Sequence, residues 1–186
     1  MEMGLAKLFA MGKKLHIGGH IPHPDWEILS IQQRDSIVDY IGNANDLSQF
    51  EDNTFEALYA SHVLEHFDYV NEVAQVLTEW LRVLEPGGQL MVGVPNWDIL
   101  ARMVIAKDQF SFDERFYVMR TILGGHTDKH DYHYSGYTFD ILEGFLTANG
   151  YVNIRQVDRF GLFPDTTEAC IRGVNISLNV IAEKPA

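Results

Sequence analysis

Histidine and carboxylate side chains are concentrated in two short segments of this sequence. The members of the two segments are His126, Asp128, His130, Asp131 and His133, and then His62, Glu65 and His66. Imidazole and carboxylate groups can bind zinc or iron, and an imidazole also exchanges protons near neutral pH. The spacing between 126 and 133 fits no metal motif, and charged neighbours in a loop are often only solvated. No metal ligand is therefore predicted, and a His/Asp metal enzyme remains one alternative.

The second segment and an early glycine pair each have two interpretations. His62 is a candidate general base on the wall of a pocket, whereas Glu65 and His66 are expected to cap or fix the helix that follows. Gly18-Gly19 is either a plain turn after a strand or a loop whose backbone approaches a ligand closely.

The elements that position these residues alternate between strands and helices. Helices are predicted at Val73–Leu84, Ile99–Ile105 and Phe112–Leu123, and after Thr138, because apolar residues recur at helical spacing and Thr138 can cap the last helix. The predicted strands are Leu15–Ile17, Trp26–Ile31, Ile37–Ile41, Ala57–Ala60, Gln89–Val94, Tyr151–Val157 and Ile176–Ala182. This order predicts an α/β fold with a mostly parallel sheet, in which the last two strands form an antiparallel edge.

The first connections of that sheet are unusually short. Only eight residues lie between Gly18 and Glu27, and the gap from about Gln32 to Ser36 is shorter still. A parallel crossover normally needs a dozen or more residues, usually with a helix. The sheet is therefore expected to lack its early crossover helices, and another surface, such as a second subunit in a homodimer, is expected to cover it there.

Composition narrows the classes of protein and partner. The 186 residues suit one domain over 1–186, with a short N-terminal segment at 1–13. The formal net charge of −12 makes nucleic acid an improbable partner, and no apolar run is long enough for a transmembrane helix. Cys170 is the single cysteine and no secretory signal is evident, so a cytoplasmic location is predicted.

Several landmarks occur in a familiar order along nearly the whole chain. They are Leu15-His16-Ile17-Gly18-Gly19-His20, Asp46-Leu47, Ala60-Ser61-His62-Val63-Leu64-Glu65-His66-Phe67, Arg82-Val83-Leu84-Glu85-Pro86-Gly87-Gly88, Gly124-Gly125-His126, Asp131-Tyr132-His133 and Phe160-Gly161-Leu162-Phe163. In this order the chain resembles short S-adenosylmethionine-dependent methyltransferases of the type 11 kind, which have a Rossmann-like fold. The most specific part is the Ser-His-Val-Leu-Glu-His run followed by Leu-Glu-Pro-Gly-Gly.

The resemblance implies a cofactor site for S-adenosylmethionine at the carboxyl ends of the strands. It assigns Gly18, Gly19 and His20 to the methionine part, Ser30 to the ribose, Asp46 and Leu47 to the adenine, and Ser61 with His62 to the remaining side. The sequence departs from the family pattern at three of these landmarks. His16 replaces an acidic or Asn residue, His20 replaces a glycine, and Ser30 replaces the ribose-binding acid.

The histidine-rich segment is then expected to form a lid over the acceptor. Gly124-Gly125 and Gly136 are its candidate hinges, His126, Asp131 and His133 its candidate acceptor contacts, and His133 the candidate base. The predicted function is methyl transfer from S-adenosylmethionine to a small-molecule acceptor, with no membrane partner. The alternative is a catalytically inactive protein of this fold that serves in binding or assembly.

Overall fold

A seven-stranded sheet forms the centre of the described part of the chain, which comprises residues 12–33 and 35–186 of a computed structural model. Most of the N-terminal segment predicted at 1–13 lies outside these residues. The strands of the chain, in order, are β1 (Lys13–Ile17), β2 (Glu27–Ser30), β3 (Tyr40–Ile41), β4 (Phe55–Ser61), β5 (Leu84–Pro95), β6 (Val152–Val157), β7 (Cys170–Ile171), β8 (Val174–Asn175) and β9 (Ser177–Glu183).

The order of strands in the sheet is β3-β2-β1-β4-β5-β9-β6. Strands β1 to β5 run parallel to one another, and β9 lies between β5 and β6, antiparallel to both. The prediction of a mostly parallel α/β sheet with an antiparallel edge is therefore confirmed. Strands β7 and β8 pair with each other in a separate two-stranded sheet.

The described residues contain four α-helices: α1 (Val73–Val83), α2 (Trp97–Ile105), α3 (Phe112–Leu123) and α4 (Phe139–Ala148). Helix α1 packs its apolar side on the sheet because Val76, Leu77 and Trp80 recur at helical spacing and are fully buried. Helix α3 begins with a capping box, in which Ser111 and Glu114 satisfy each other's backbone N–H groups. The longest helix in the described residues has 12 residues, too few to cross a bilayer.

The early crossovers lack α-helices, as predicted. Only turns join β1 to β2, and a single 3-10 turn at Asp35–Ile37 precedes β3. The sheet face behind Tyr59 is covered by the chain itself, because Phe160 and Phe163 fold back onto it. The Tyr59 hydroxyl also forms hydrogen bonds with Asp165 and Thr167, at 2.9 and 3.0 Å, which hold the segment after Phe160 against the sheet. A second subunit is therefore not needed to bury this part of the face.

Two sequence predictions need correction. The third strand is Tyr40–Ile41 and not Ile37–Ile41, because the Asp39 side chain accepts the N–H of Ile28 at 2.8 Å, a bond that a strand carbonyl would otherwise accept. The segment Glu85–Gly88 does not precede β5 but bulges within it, since Leu84 already pairs with Phe55.

The last two strands are antiparallel neighbours but do not form a simple hairpin. The chain between β6 and β9 contains a 3-10 turn at Thr166–Glu168 and the small β7–β8 sheet. This intervening segment supplies the residues that cover Tyr59.

Candidate functional site

A cavity of about 530 Å³ opens where β1, β2, β3 and β4 end. Its size is within the range of small-molecule sites, and the carboxyl ends of parallel strands are where open α/β sheets bind ligands. The lining residues are Ile17, Gly18, Leu29, Ser30, Ile31, Gly42, Asn43, Ala44, Asn45, Ser61, His62, Val63, His66, Phe67, Glu72, Lys129, His130 and Tyr134.

Gly18 has the backbone geometry that makes the turn after β1 possible. Its φ is +73°, and its N–H donates to Leu29 O at 2.8 Å. A Cβ on this residue would lie 2.7 Å from Val63 Cγ2. Both the conformation and the space therefore require glycine, and the backbone of Gly18 is left open to the cavity.

Four residues that the resemblance assigns to the cofactor do not line this cavity. Gly19 packs against the ring of His16, where a Cβ would lie 2.6 Å from the imidazole. His20 is exposed outside the cavity. Asp46 is exposed and its carboxylate accepts the Ser48 N–H at 3.1 Å, whereas Leu47 is fully buried in the core.

Asn43, Ala44 and Asn45 line the cavity, whereas Asp46 and Leu47 do not. The three residues follow the end of β3 at Ile41 closely, and a turn in which Asp46 N donates to Asn43 O comes next. The sequence signal that points to them is the Gly42 that ends the strand. The other assigned residues, Gly18, Ser30, Ser61 and His62, all line the cavity.

His62 is held in an unusual backbone conformation beside the cavity. Its φ is +53°, which is uncommon for a residue with a side chain. The Ser177 hydroxyl donates to Thr166 O at 2.7 Å and therefore accepts from His62 Nε2–H at 2.8 Å. The opposite nitrogen, Nδ1, lies 3.1 Å from Glu65 Oε1. The ring thus connects the end of β4 with β9.

Glu65 is fully buried, and neither of its carboxylate oxygens accepts a well-aligned hydrogen bond from any residue that the structure describes. Burial opposes the charged form, but the nearby imidazoles of His62, His133 and His66 outweigh it and hold the pKa of Glu65 below its usual value. Glu65 was expected, together with His66, to cap or fix the following helix. Its carboxylate instead faces the imidazoles of His62 and His133. No side-chain cap bond is formed at the start of α1.

His133 contacts the same carboxylate from the other side. Its Nε2 lies 4.0 Å from Glu65 Oε1, and its ring lies edge-on to that of His66 with centroids 4.8 Å apart. Burial lowers the pKa of His133, and the attraction of Glu65 opposes this only in part. His133 is thus favoured as a neutral imidazole.

The loop from 124 to 136 brings His133 to this position. The Asp131 carboxylate fixes the loop internally, since it accepts from Gly125 N, Thr127 N and Thr127 Oγ1. His126 stacks on Tyr132 at 4.0 Å and contacts Leu123 O. Of the three acceptor contacts predicted in this loop, only His133 lines a cavity, because Asp131 and His126 hold the loop itself together.

A second cavity of about 360 Å³ lies on the far side of His133. Apolar and aromatic side chains predominate in it. The lining residues are Tyr69, Trp97, Ile122, Leu123, His133, Tyr134, Ser135, Gly136, Ile141 and Phe145. Tyr134 lines both cavities, so the two are neighbours across this residue.

Comparisons with known proteins agree with the fold described above. Residues 25–92 match the profile of a methyltransferase domain family of type 11. Solved structures of S-adenosylmethionine-dependent methyltransferases have a similar overall fold. The chain has the class I methyltransferase fold. The resemblance inferred from the sequence is thereby confirmed, and S-adenosylmethionine is the cofactor that the fold implies.

Three of these structures indicate how far the likeness extends. A SAM-dependent methyltransferase from Archaeoglobus fulgidus is 14% identical, with a TM-score of 0.59, over 94% of this chain and 87% of that one. Phosphoethanolamine N-methyltransferase 2 from Haemonchus contortus, solved with S-adenosyl-L-methionine, is 13% identical with a TM-score of 0.52, over 97% and 51%. The CurJ carbon methyltransferase is 15% identical with a TM-score of 0.54, over 95% and 49%. At these identities the likeness concerns the fold alone.

One curated relative matches a short stretch. An uncharacterized 37.1 kDa protein of transposon TN4556 in Streptomyces fradiae is 44% identical over 50 residues, which are 27% of this chain and 14% of that protein. The chain thus corresponds to a small part of that protein, and to about half of the CurJ carbon methyltransferase.

The first cavity fits the cofactor that the fold implies. Gly18 leaves a cradle that a Cβ would fill, and the lining offers apolar side chains for a flat heterocycle beside hydroxyl and amide groups for a ribose. The Ser30 oxygen accepts from Gln32 N at 3.3 Å, and within the described part of the chain its hydroxyl donates no hydrogen bond. The Asn43 side chain forms no hydrogen bond within the described residues and is also available.

Proposed function

We propose that this chain transfers the methyl group of S-adenosylmethionine to a small-molecule acceptor. The observation that carries the proposal is the cavity at the ends of β1 to β4, which begins at the obligatory glycine turn of Gly18. When bound, S-adenosylmethionine supplies a sulfonium methyl group that is open to direct displacement. The protein's part is to align two reactants and to remove a proton where the acceptor carries one.

Each strand end contributes one kind of contact to the cofactor. The bare backbone of Gly18 accommodates the methionine part, the Ser30 hydroxyl donates to the ribose, and the Asn43 amide binds the adenine edge. The Ser30 bond is neutral, so it stabilises the complex less than the charged pair that an acid would form there. We therefore expect moderate cofactor affinity.

The acceptor binds in the second cavity, on the other side of Tyr134. Its aromatic and aliphatic lining favours an apolar acceptor body, and His133 is the polar group at its wall. His133 Nδ1–H donates to Ile122 O at 3.2 Å, which leaves the Nε2 lone pair free to accept a proton. Glu65, 4.0 Å away, would stabilise the imidazolium that forms.

Calorimetric titration with S-adenosylhomocysteine tests the cofactor half of the proposal. Variants at Asn43 and Asp46 test which of the two residues contacts the adenine. Asn43→Ala should weaken binding about 5- to 10-fold, the loss of one neutral hydrogen bond of roughly 1 kcal/mol. Asp46→Asn is the matched control. It keeps the oxygen that accepts from Ser48 N outside the cavity, so binding should change by less than about twofold.

The opposite result is that Asp46→Asn weakens binding and Asn43→Ala has no effect. It would place the adenine beside Asp46, as the family resemblance implies, and contradict the proposed contact with Asn43. No binding by the folded wild-type protein at millimolar ligand would refute methyl transfer and favour the binding or assembly alternative.

A further inference from the structure

Glu65, His66 and His133 meet beneath the loop 124–136. Each offers one potential ligand atom, and these atoms all lie within 4.8 Å of one another. Glu65 and His66 belong to the turn after β4, whereas His133 arrives from the loop after α3. Two imidazoles and one carboxylate are a donor set that zinc and ferrous iron accept.

Backbone contacts fix the protonation of both imidazoles. His66 Nδ1 lies 3.0 Å from Tyr132 O, and His133 Nδ1 lies 3.2 Å from Ile122 O. A carbonyl oxygen can only accept, so both Nδ1 atoms carry the proton. In the neutral rings the Nε2 atoms then present lone pairs. Histidines that bind metals are commonly oriented in this way, with the other N–H donated to a backbone carbonyl.

The carboxylate between them lacks the partners that a buried charge needs. Glu65 is fully buried and, among residues 12–33 and 35–186, neither oxygen accepts a well-aligned hydrogen bond, although an ionised carboxylate offers about four acceptor sites. His62 approaches only one of its oxygens. A buried unsatisfied carboxylate is costly, and a cation in contact with it would remove that cost.

The backbone around the three side chains is tied together. Tyr134 N and Ser135 N donate to Glu65 O at 2.8 and 3.2 Å, so the loop is anchored on the residue whose side chain it faces. His133 N also donates to Leu123 O at 3.1 Å. The three ligand atoms are therefore held near each other by main-chain bonds that none of the side chains provides.

We propose that Glu65, His66 and His133 bind one divalent transition-metal ion of the zinc class and leave at least one coordination position open. Tetrahedral zinc, with bonds of about 2.0–2.1 Å, holds its ligand atoms about 3.3 Å apart. Binding therefore contracts the longest separation in the cluster by up to about 1.5 Å from its 4.8 Å limit, within the reach of side-chain rotation.

The open position lies between the two cavities, since His66 lines the first and His133 the second. An oxygen or nitrogen atom of the acceptor can complete the coordination there, and this part of the inference rests on the proposed function. In the loaded protein the metal occupies the Nε2 lone pair of His133. The metal then replaces His133 as the group that makes the acceptor's O–H or N–H more acidic. Metal binding itself does not depend on methyl transfer.

The first experiment titrates the full chain, stripped with a chelator, with Zn²⁺ and separately with Mg²⁺, in the absence of any cofactor. One equivalent of Zn²⁺ should bind, and Mg²⁺ should not, because imidazole nitrogen suits zinc and not magnesium. Failure of this titration would refute the metal site and leave the cofactor proposal intact, since that proposal is tested by S-adenosylhomocysteine alone.

Two variants test two of the ligands. Glu65→Gln and His66→Gln should each weaken Zn²⁺ binding at least about 100-fold, more than the loss of an outer partner usually causes. His20→Gln is the matched control, because it removes an exposed imidazole outside both cavities and should leave the affinity unchanged. If Glu65→Gln fails to fold, the half-buried His66 decides the question. Equal binding by wild type and His66→Gln would overturn the assignment.

Cobalt reports on the geometry without any variant. Co²⁺ in the stripped protein should give the intense visible absorption of a low-coordinate nitrogen and oxygen site, and azide should shift that spectrum by entering the open position. A weak, octahedral-type spectrum would refute the three-ligand site. A strong spectrum that azide leaves unchanged would refute the open position.

Discussion

The buried imidazole of His16 should make the stability of this protein sensitive to mild acid. His16 is 2% exposed, its ring centroid lies 4.3 Å from that of Phe163, and its Nδ1 has no hydrogen-bond partner in the described part of the chain. Burial lowers the pKa of His16 from 6.5 to about 4, against the opposing attraction of Asp165. Below pH 6.5 the unfolded chain therefore binds a proton at His16, whereas the folded chain binds it only near pH 4. The free energy of unfolding consequently falls as the pH is lowered from 6.5 to about 4.

The pKa difference sets the size of the effect. The two values differ by about 2.5 units, which corresponds to roughly 3 kcal/mol lost when the window has been crossed. About 2 kcal/mol of this loss should occur between pH 7 and pH 5. His16→Phe should remove it, because a phenyl ring retains the contacts with Phe163 and Tyr59 but cannot be protonated.

Urea unfolding at pH 7 and at pH 5 provides the measurement. The free energy of unfolding of the wild type should fall by about 2 kcal/mol more than that of His16→Phe over this interval. His20→Gln, which alters an exposed histidine on the adjoining loop, should behave as the wild type. The reasoning is refuted if His16→Phe and wild type lose the same amount, since the pH dependence would then come from other groups.

Two further predictions concern packing next to the candidate site. Tyr59→Phe removes the hydrogen bonds to Asp165 and Thr167 while keeping the ring. It should lower the free energy of unfolding, measured in urea, by about 1–3 kcal/mol. An unchanged value would mean that the Tyr59 hydroxyl does not hold the 158–167 segment. Gly136→Ala would place a Cβ 1.9 Å from Trp97 Cε2, so it should cost about 1–3 kcal/mol and shift the tryptophan fluorescence as the half-exposed Trp97 ring moves. Wild-type fluorescence and stability in that variant would show that the loop and Trp97 are not in contact.

Much of the fold could be predicted because it rests on local patterns. The apolar spacing of Val73, Val76, Leu77 and Trp80 belongs to the chain itself, and it produces α1 wherever that face finds a partner. The eight residues between Gly18 and Glu27 are likewise too few for a crossover helix, which the sequence alone shows. Strand ends were less predictable, as β3 shows, because there the side chain of Asp39 competes with the backbone for the same N–H.

The candidate site was only partly predictable. Gly18, Ser30, Ser61 and His62 follow strands directly, so their place at the carboxyl edge of the sheet is a consequence of chain order. Asp46 and Leu47 do not line the cavity, because β3 ends at Ile41 and the residues that follow it directly reach the cavity first. Asn43 lines the cavity, and the only local signal for it is the Gly42 that follows the strand.

The sequence by itself determined the alternation of strands and helices, the absent crossover helices and the set of residues at the strand ends. Only the tertiary structure decided that Glu65, apparently a helix cap, is a buried carboxylate facing His133, and that Phe160 and Phe163 cover Tyr59. Periodicity and turn chemistry act between near neighbours, whereas these contacts join residues far apart in the chain. Their formation depends on the path of a loop and on which buried groups it can satisfy, and no local pattern encodes that.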